Sequence, residues 1–480
     1  MIRKKSLAKN YIYNSIYQIF VIIVPLITTP YIAKILLPDH VGINSYVSSV
    51  VTLFTTIGMI GLSNYSVREI AYVKNNEEEL EKTFSELFIL RIICFLITFI
   101  IYILYSYNTE YFIYYLIYSF TVIGTFFDIS WLFQGIEELK ITVLRNFIIK
   151  VISTISIFVL VRDFNDLWIL MLIYSATTIF SSISLYIPAK KIIKKFQIKN
   201  LEIKKHIIPN LKLFLPQVAT LIYCQFDKVM INNLTNEVAQ VGFYNQAEKI
   251  IKIPLTLITS LSTVMLPRIS HEFINKNTEK LKKYISTAFR FSLLLAIPFT
   301  FGLTVISKGF IPWFLGNEYN QVIPLLIFLS ITVIFISLSS VSGSQYLTAT
   351  NQTKVLTISY VVSAIVNLIL NFILIRRYGA VGATIGTIIA ELLVVIIQLK
   401  AMKDITSFKE ILKFSKNYIL SSVIMFIICF SLYFILKPSI LLTFVQIIVG
   451  IIIYFVTLLI LKDELFMKYF CKLKNKIIKS

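Results

Sequence analysis

The sequence predicts an all-α polytopic membrane protein of about fourteen transmembrane helices, and three observations predict it. Of 480 residues 57% are hydrophobic and 15% charged, with a mean hydropathy of +0.80, against roughly 25% charged in an ordinary soluble domain. Apolar stretches recur at the length of about 20 residues that a helix needs to cross the hydrocarbon. The 46 Lys and Arg residues, set against 25 Asp and Glu, gather on one side of the membrane those stretches imply.

In chain order the spans fall at 11–36, 41–63, 84–106, 111–133, 143–161 and 167–187, then at 213–235, 244–267, 285–307, 322–347, 355–375 and 381–400, and last at 418–436 and 440–461. The first follows RKKSLAK, and its apolar run of some 26 residues is too long for a signal-peptide core and lacks a small-residue cleavage site, so the span is retained. Pro25, Pro30, Pro216, Pro254 and Pro298 fall inside spans and predict kinks. Phe and Tyr serve as lipid-facing bulk and interfacial anchors. Segments 64–83 and 404–417 carry charge at helical spacing; two readings stay open, a helix lying along the membrane surface and a solvated loop.

With both termini in the cytoplasm, the inside segments hold most of the basic residues, from Lys4 to Lys479. The outside loops hold only Arg162, Lys308, Arg376, Arg377 and Lys437. This positive-inside bias orients the chain and accounts for the formal charge of +21 without nucleic acid as a partner. Cys94, Cys224 and Cys429 fall in spans and Cys471 in the basic tail, which gives no disulfide or zinc framework, and no cofactor or metal is expected. His40, His206 and His271 are scattered and read as surface histidines. No Gly-rich phosphate loop and no nucleophile–base constellation is recognisable, so no catalytic residue is assigned.

A repeat organises the chain. Residues 10–42 run from Asn10 to LPDHVG and residues 210–242 from Asn210 to NEVAQVG, so Asn and Val-Gly recur at an offset of 200. The division that follows is an N-terminal lobe, 1–187, with spans 1–6; a cytoplasmic basic linker, 188–212; a C-terminal lobe, 213–403, with spans 7–12; and 404–480, with spans 13–14 and a basic cytoplasmic tail. An even number of spans per half makes both halves enter from the same side, the parallel-repeat plan of some secondary transporters.

An ionisable group at the centre of a span costs about 2.5–3.5 kcal/mol on insertion scales, so it should face a bundle interior or a watery cavity. In span 4, Thr121, Thr125 and Asp128 share a helix face by spacing. Two readings of Asp128 stay open: a carboxylate tied to a neighbouring helix for structure, and one that faces a cavity. Span 7 repeats the pattern with Gln217, Thr220, Cys224 and Asp227, and Lys228 lies about 100° round the helix. Span 8 sets Glu248, Lys249 and Lys252 within one turn, where Glu248 can pair with Lys252. Span 11 offers Ser363, Asn367 and Asn371, and span 12 offers Thr384, Thr387, Glu391 and Gln398. Gly382 and Gly386 form a GxxxG pair that reads as close packing.

PLITTPYIAKILLPDHVGINSY (25–46), FDISWLFQGIEELK (127–140), FDKVMINNL (226–234), VGFYNQAEKI (241–250) and VNLILNFILIRRYGAVGATIGTIIAE (366–391) together resemble bacterial polysaccharide-biosynthesis flippases. These are the Wzx-type repeat-unit translocases of the multidrug/oligosaccharidyl-lipid/polysaccharide exporter superfamily. The resemblance runs in order along nearly the whole chain. It implies two six-helix lobes around a central cavity, alternating between inward-open and outward-open states in the bacterial cell membrane. The implied cargo is an undecaprenyl-diphosphate-linked oligosaccharide for capsule, exopolysaccharide or O-antigen assembly, with polysaccharide polymerase and assembly proteins as further candidate partners. It also implies that spans 13 and 14 seat the polyprenyl tail.

A diphosphate and sugar hydroxyls cannot cross hydrocarbon uncompensated. The candidates for the diphosphate are Lys228, Lys249 and Lys252. Asp128, Asp227, Glu248, Glu391, Asn367 and Asn371 are candidates for sugar contact, for holding the lysines or for ion coupling. Two other functions are carried. A drug or metabolite antiporter of the same superfamily should favour twelve spans and an acid-rich cavity without paired lysines. A membrane glycan polymerase needs a large external loop, whereas the longest external segment here is 308–321, KGFIPWFLGNEYNQ.

Overall fold

The computed structural model describes residues 7–468, without the side chains of 7–22, 139, 212, 213, 215–217, 219, 220, 222–224, 261, 263 and 264. The described residues form helices and no strand: α1 (Leu7–Gly58), α2 (Leu62–Val73), α3 (Glu77–Tyr107), α4 (Phe112–Phe127), α5 (Ser130–Gly135), α6 (Leu139–Leu160), α7 (Leu167–Ser184), α8 (Tyr186–Ala189), α9 (Ile207–Thr235), α10 (Val238–Ile274), α11 (Thr278–Phe314), α12 (Val322–Leu329), α13 (Thr332–Ser339), α14 (Thr353–Tyr378), α15 (Ala380–Ala401), α16 (Phe408–Ser431) and α17 (Ile440–Ile460). Eleven helices among the described residues are long and apolar enough to cross a membrane, or twelve with the bent α10. The expected count of about fourteen is approximate. Two expected spans, 11–36 and 41–63, begin in α1 on either side of a break at Leu37, the second running past its end at Gly58, and span 213–235 falls on α9, much of which lacks described side chains.

Packing divides the chain into two units, Met1–Asn232 with Glu237–Gly242, and Asn233–Asn236 with Phe243–Ser480. In the first, α1 breaks at Leu37, which takes φ 58°, ψ 173° just before Pro38, a position where proline disfavours helical backbone though the positive φ is not what proline alone imposes. Just beyond it, a Cβ on Gly42 would sit 2.0 Å from the Val238 carbonyl oxygen, and one on Gly242 would sit 2.4 Å from that of Pro38. The Val-Gly pairs that recur 200 residues apart therefore meet, backbone against backbone, within this unit. Asn76 caps α3 by accepting from the amides of Glu78 and Glu79, and Glu77, Glu78 and Glu79 sit where the helix dipole favours acids.

The basic linker lies along α3. The amides of Lys194 and Lys195 donate to Glu81 Oε1 at 2.8 and 3.0 Å, that of Gln197 to Ser85 Oγ at 3.0 Å and that of Glu202 to Glu86 Oε1 at 2.8 Å. His206 is not a surface histidine. It is 1% exposed, with Nδ1 2.8 Å from Tyr65 Oη and Nε2 2.9 Å from Glu86 Oε2. The correction has a physical reason: α3 carries a buried carboxylate, and the linker supplies the groups that satisfy it.

In the second unit α14 and α15 pack closely at Gly382, where a Cβ would sit 2.4 Å from the Leu374 carbonyl. After α13 the chain widens into a π-helical stretch, Ser340–Leu347, where Gln398 accepts from Ser342 Oγ at 2.6 Å and donates to Ser359 Oγ at 3.0 Å. The last helix and the turn after α16 are bonded to α11: Tyr454 Oη donates to the Leu294 carbonyl and Tyr433 Oη to that of Val305, both at 2.7 Å.

Candidate substrate site at the Asp128 helix break

The sequence places Asp128 on a continuous helix face, and the structure corrects this. Helix α4 stops at Phe127, Asp128 is extended (φ −69°, ψ 119°), and α5 resumes at Ser130. Thr121, donating to Ser175 Oγ at 3.1 Å, and Thr125, donating to the Thr121 carbonyl at 2.8 Å, keep helical register, but Asp128 leaves their face. A break frees carbonyls that lipid cannot satisfy. Here side chains do so: Ser182 Oγ donates to the Gly124 carbonyl at 2.6 Å, Tyr186 Oη to that of Phe127 at 2.9 Å, and Arg91 Nη1 to that of Asp128 at 3.1 Å. Arg91 also brings a cation to the negative end of α4.

The Asp128 carboxylate works at the other end of the break. Its Oδ1 accepts from the Ser130 amide at 2.7 Å, and its Oδ2 pairs with Arg145 Nη1 at 3.2 Å. Arg145, from α6, also donates to the Ser181 carbonyl at 2.9 Å, which ties α7 to the same point. The Asp128 side chain is 25% exposed and that of Arg145 10%. The exposure opens on a cavity of about 340 Å³ lined by Ser63, Asn64, Arg91, Thr125, Trp131 and Gln134, among others. Arg91 is buried, with its guanidinium 5.2 Å from the Trp131 ring centre, and its Nε finds no partner among the described residues.

Arg145 pairs with the carboxylate and Arg91 bonds the carbonyl of the same residue, so two cations and one anion gather at the break, and Arg91 and Asp128 line the cavity itself. Hydroxyls, amides and an aromatic face surround it, the set that offers a phosphate or a sugar replacements for lost water. The bond to Arg145 and the opening on the cavity occur together at Asp128, so both geometries left open by the sequence are present.

Arg91 and Arg145 were missed. Both lie inside expected spans, yet among basic residues only Lys228, Lys249 and Lys252 are weighed for chemistry from the sequence. The available signal was that a carboxylate at membrane depth needs a partner cation at similar depth, and the two arginines stand 37 residues before and 17 after Asp128.

The other expected residues are distributed over both units. Asp227 and Lys228 are both buried on α9 in the first unit, and neither lines the cavity at Asp128. Gln217, Thr220 and Cys224 lie outside the residues whose side chains are described. In the second unit, Glu248 pairs with Lys252 at 2.6 Å, as their spacing suggests, and Lys249 is exposed. Asn367 and Asn371 are buried, with Asn371 Nδ2 donating to Asn367 Oδ1 at 3.1 Å. Gly386 makes room for them, since a Cβ there would sit 2.4 Å from Asn371 Oδ1. Glu391 is buried on α15, one turn from Thr387, whose hydroxyl lies 3.1 Å from Tyr244 Oη.

Known proteins share this architecture. The family model for polysaccharide biosynthesis proteins matches residues 7–273, and the MatE model matches 213–373. A putative O-antigen transporter of Shigella dysenteriae is 27% identical over 390 residues, 79% of this chain and 96% of that protein. One from Escherichia coli K12 is 23% identical over 84% of this chain and 98% of its own length. Among solved structures, the lipid II flippase MurJ in an inward closed conformation superposes with a TM-score of 0.74 at 21% identity, over 94% of this chain and 98% of that one. An inward-facing multidrug resistance MATE family transporter does so at 0.63 and 14%, over 84% and 97%. The chain therefore belongs to the polysaccharide biosynthesis protein family, and its fold is the one that MurJ and the MATE transporters share.

Proposed function

We propose that the chain is a flippase that moves undecaprenyl-diphosphate-linked oligosaccharide repeat units from the inner to the outer leaflet of the cytoplasmic membrane by alternating access, for O-antigen, capsule or exopolysaccharide assembly. The observation that carries this reading is likeness over 96% and 98% of the length of two proteins named as putative O-antigen transporters. The polar cavity at Asp128, with Arg91 in its wall and Arg145 behind the carboxylate, supports it, because a glycan diphosphate needs cations and hydrogen-bonding groups to leave water. In this reading Arg91, Arg145 and Asp128 meet the headgroup in the first unit. Lys228, Lys249 and Lys252 remain the diphosphate candidates, and Asp227, Glu248, Glu391, Asn367 and Asn371 remain candidates for sugar contact, for holding the lysines or for ion coupling.

The polyprenyl tail has a matching surface. A groove of about 400 Å³ between α11, α16 and α17 is lined by apolar groups such as Leu295, Phe299, Ile306, Ile447 and Ile451, and at Gly302 an added Cβ would meet nothing within 4 Å. Depleting the protein tests the reading: lipid-linked repeat units should accumulate on the inner leaflet. A drug or metabolite antiporter would instead leave that lipid pool unchanged and alter accumulation of a small molecule.

A further inference from the structure

We propose that the cytoplasmic end of α16 is a binding site for an anionic glycerophospholipid of the inner leaflet, distinct from the cargo site. Lys409, Lys413 and Lys416 recur at helical spacing, and Leu412, Ile419, Leu420 and Val423 continue the same stripe. Together with Ser407 and Glu410 these residues form one open face of the helix. The opposite face, with Ile411, Tyr418 and Met425, is buried. One face of one helix thus passes from three cations to branched apolar side chains within about two turns, the order of groups met by a lipid headgroup and its acyl chains.

Helix length sets the depth. The span Phe408–Phe434 has 27 residues, about 40 Å at helical rise, and the hydrocarbon takes about 30 Å. The surplus of about 10 Å falls where the lysines are, on the side that the distribution of basic residues makes cytoplasmic. They sit at headgroup level with the apolar continuation below them.

The neighbouring acids are otherwise engaged. Glu410 closes a capping box with Ser407 and accepts from Thr406 Oγ1 at 3.1 Å. Glu464 pairs with Arg290 at 2.8 Å, and that guanidinium, with a smaller contribution from Lys413, holds its carboxyl below the usual range. Each acid has its own partner, although Glu464 also feels Lys413, so an outside anion meets an excess of positive charge on this face. Orientation of the chain needs basic residues on this side but does not need them aligned on one face above an apolar stripe. That alignment is what a two-part ligand requires.

The test uses full-length protein in mild detergent, with native mass spectrometry of bound phosphatidylglycerol against phosphatidylcholine. Wild type should retain phosphatidylglycerol preferentially, and K413A/K416A should lose that preference by about fivefold per lysine. K413R/K416R should keep it, which separates charge from misfolding. K190A/K191A, on the linker, should leave it unchanged. Equal retention by K413A/K416A, or an equal loss in K190A/K191A, would overturn the proposal.

Discussion

Replacing Asp128 by Asn separates the charge of this side chain from its role in the helix break. Asparagine keeps an oxygen to accept from the Ser130 amide, so the break at 128 survives, but Arg145 loses its counter-charge. At the observed 3.2 Å a unit pair is worth about 5 kcal/mol at an effective dielectric constant of about 20. The cavity wets Asp128, so solvent screening brings the loss on Asp128→Asn to about 1–3 kcal/mol. Glycan export, scored against protein level in cells, should fall strongly for Asp128→Asn and less for Asp128→Glu, which restores the charge.

Two further measurements sharpen this. In a cycle with Arg145→Gln, the two substitutions should couple in stability by about 1–3 kcal/mol, and on the proposed function the double variant should not recover export, because Asp128 at the cavity wall would still have lost its charge. In a version lacking native cysteines, Asp128→Cys should react with a small charged thiol reagent from the cytoplasmic side, and added lipid-linked substrate should slow that reaction. Full export by the double variant, or no modification from either side, would reduce Asp128 to a structural aspartate and refute the reasoning.

Two other predictions concern topology and the second unit. Lys199→Cys should be unlabelled by an impermeant reagent added to intact cells and labelled after permeabilisation, since a segment with eight lysines between 188 and 212 resists translocation; labelling from outside inverts the topology. Lys252→Ala should abolish export at unchanged protein level, and Lys252→Arg should retain part of it. Because Lys252 is paired with Glu248, recovery in Glu248→Gln/Lys252→Gln would show that it serves only to neutralise that acid.

The helices were legible because burial in lipid is written directly into composition: a run of about 20 apolar residues has few other uses. The close contact of Gly42 and Gly242 was legible only as a recurring Val-Gly, since sequence reveals the repeat but not that its copies touch. The break at Asp128 was not legible. Periodicity assumes an unbroken helix, and what stops α4 is the set of side chains, from Arg91, Tyr186 and Ser182 on other segments, that satisfy its last carbonyls. Pairings such as Asp128 with Arg145 are long-range choices that no local pattern encodes. The same limit hid His206, whose partners Tyr65 and Glu86 are 141 and 120 residues away.

His206 leads to the last prediction, because it makes the linker a fitted part. Glu86 is fully buried, and the linker surrounds it with His206 Nε2 at 2.9 Å, Lys205 Nζ at 3.0 Å and the Glu202 amide at 2.8 Å. Burial alone would lower the pKa of Lys205, but Glu86 and Glu202 outweigh it and hold the ammonium above its ordinary value, so the cation persists throughout the physiological range. Glu86→Gln keeps an acceptor for the Glu202 amide and removes the charge that both side chains answer. Hydrogen bonds to a charged group are worth about 1.5–3 kcal/mol; with Lys205 nearly half exposed, a loss of about 1.4 kcal/mol is the conservative figure, a factor of about ten in local opening. Trypsin cuts the opened segment in proportion to its population when reclosing is fast, so cleavage after Lys199 in purified protein should speed up about tenfold in Glu86→Gln and similarly in His206→Ala. Cleavage at the wild-type rate in both would mean that the backbone bonds to Glu81 and Ser85 hold the linker unaided, and that the buried carboxylate serves α3 rather than the strap.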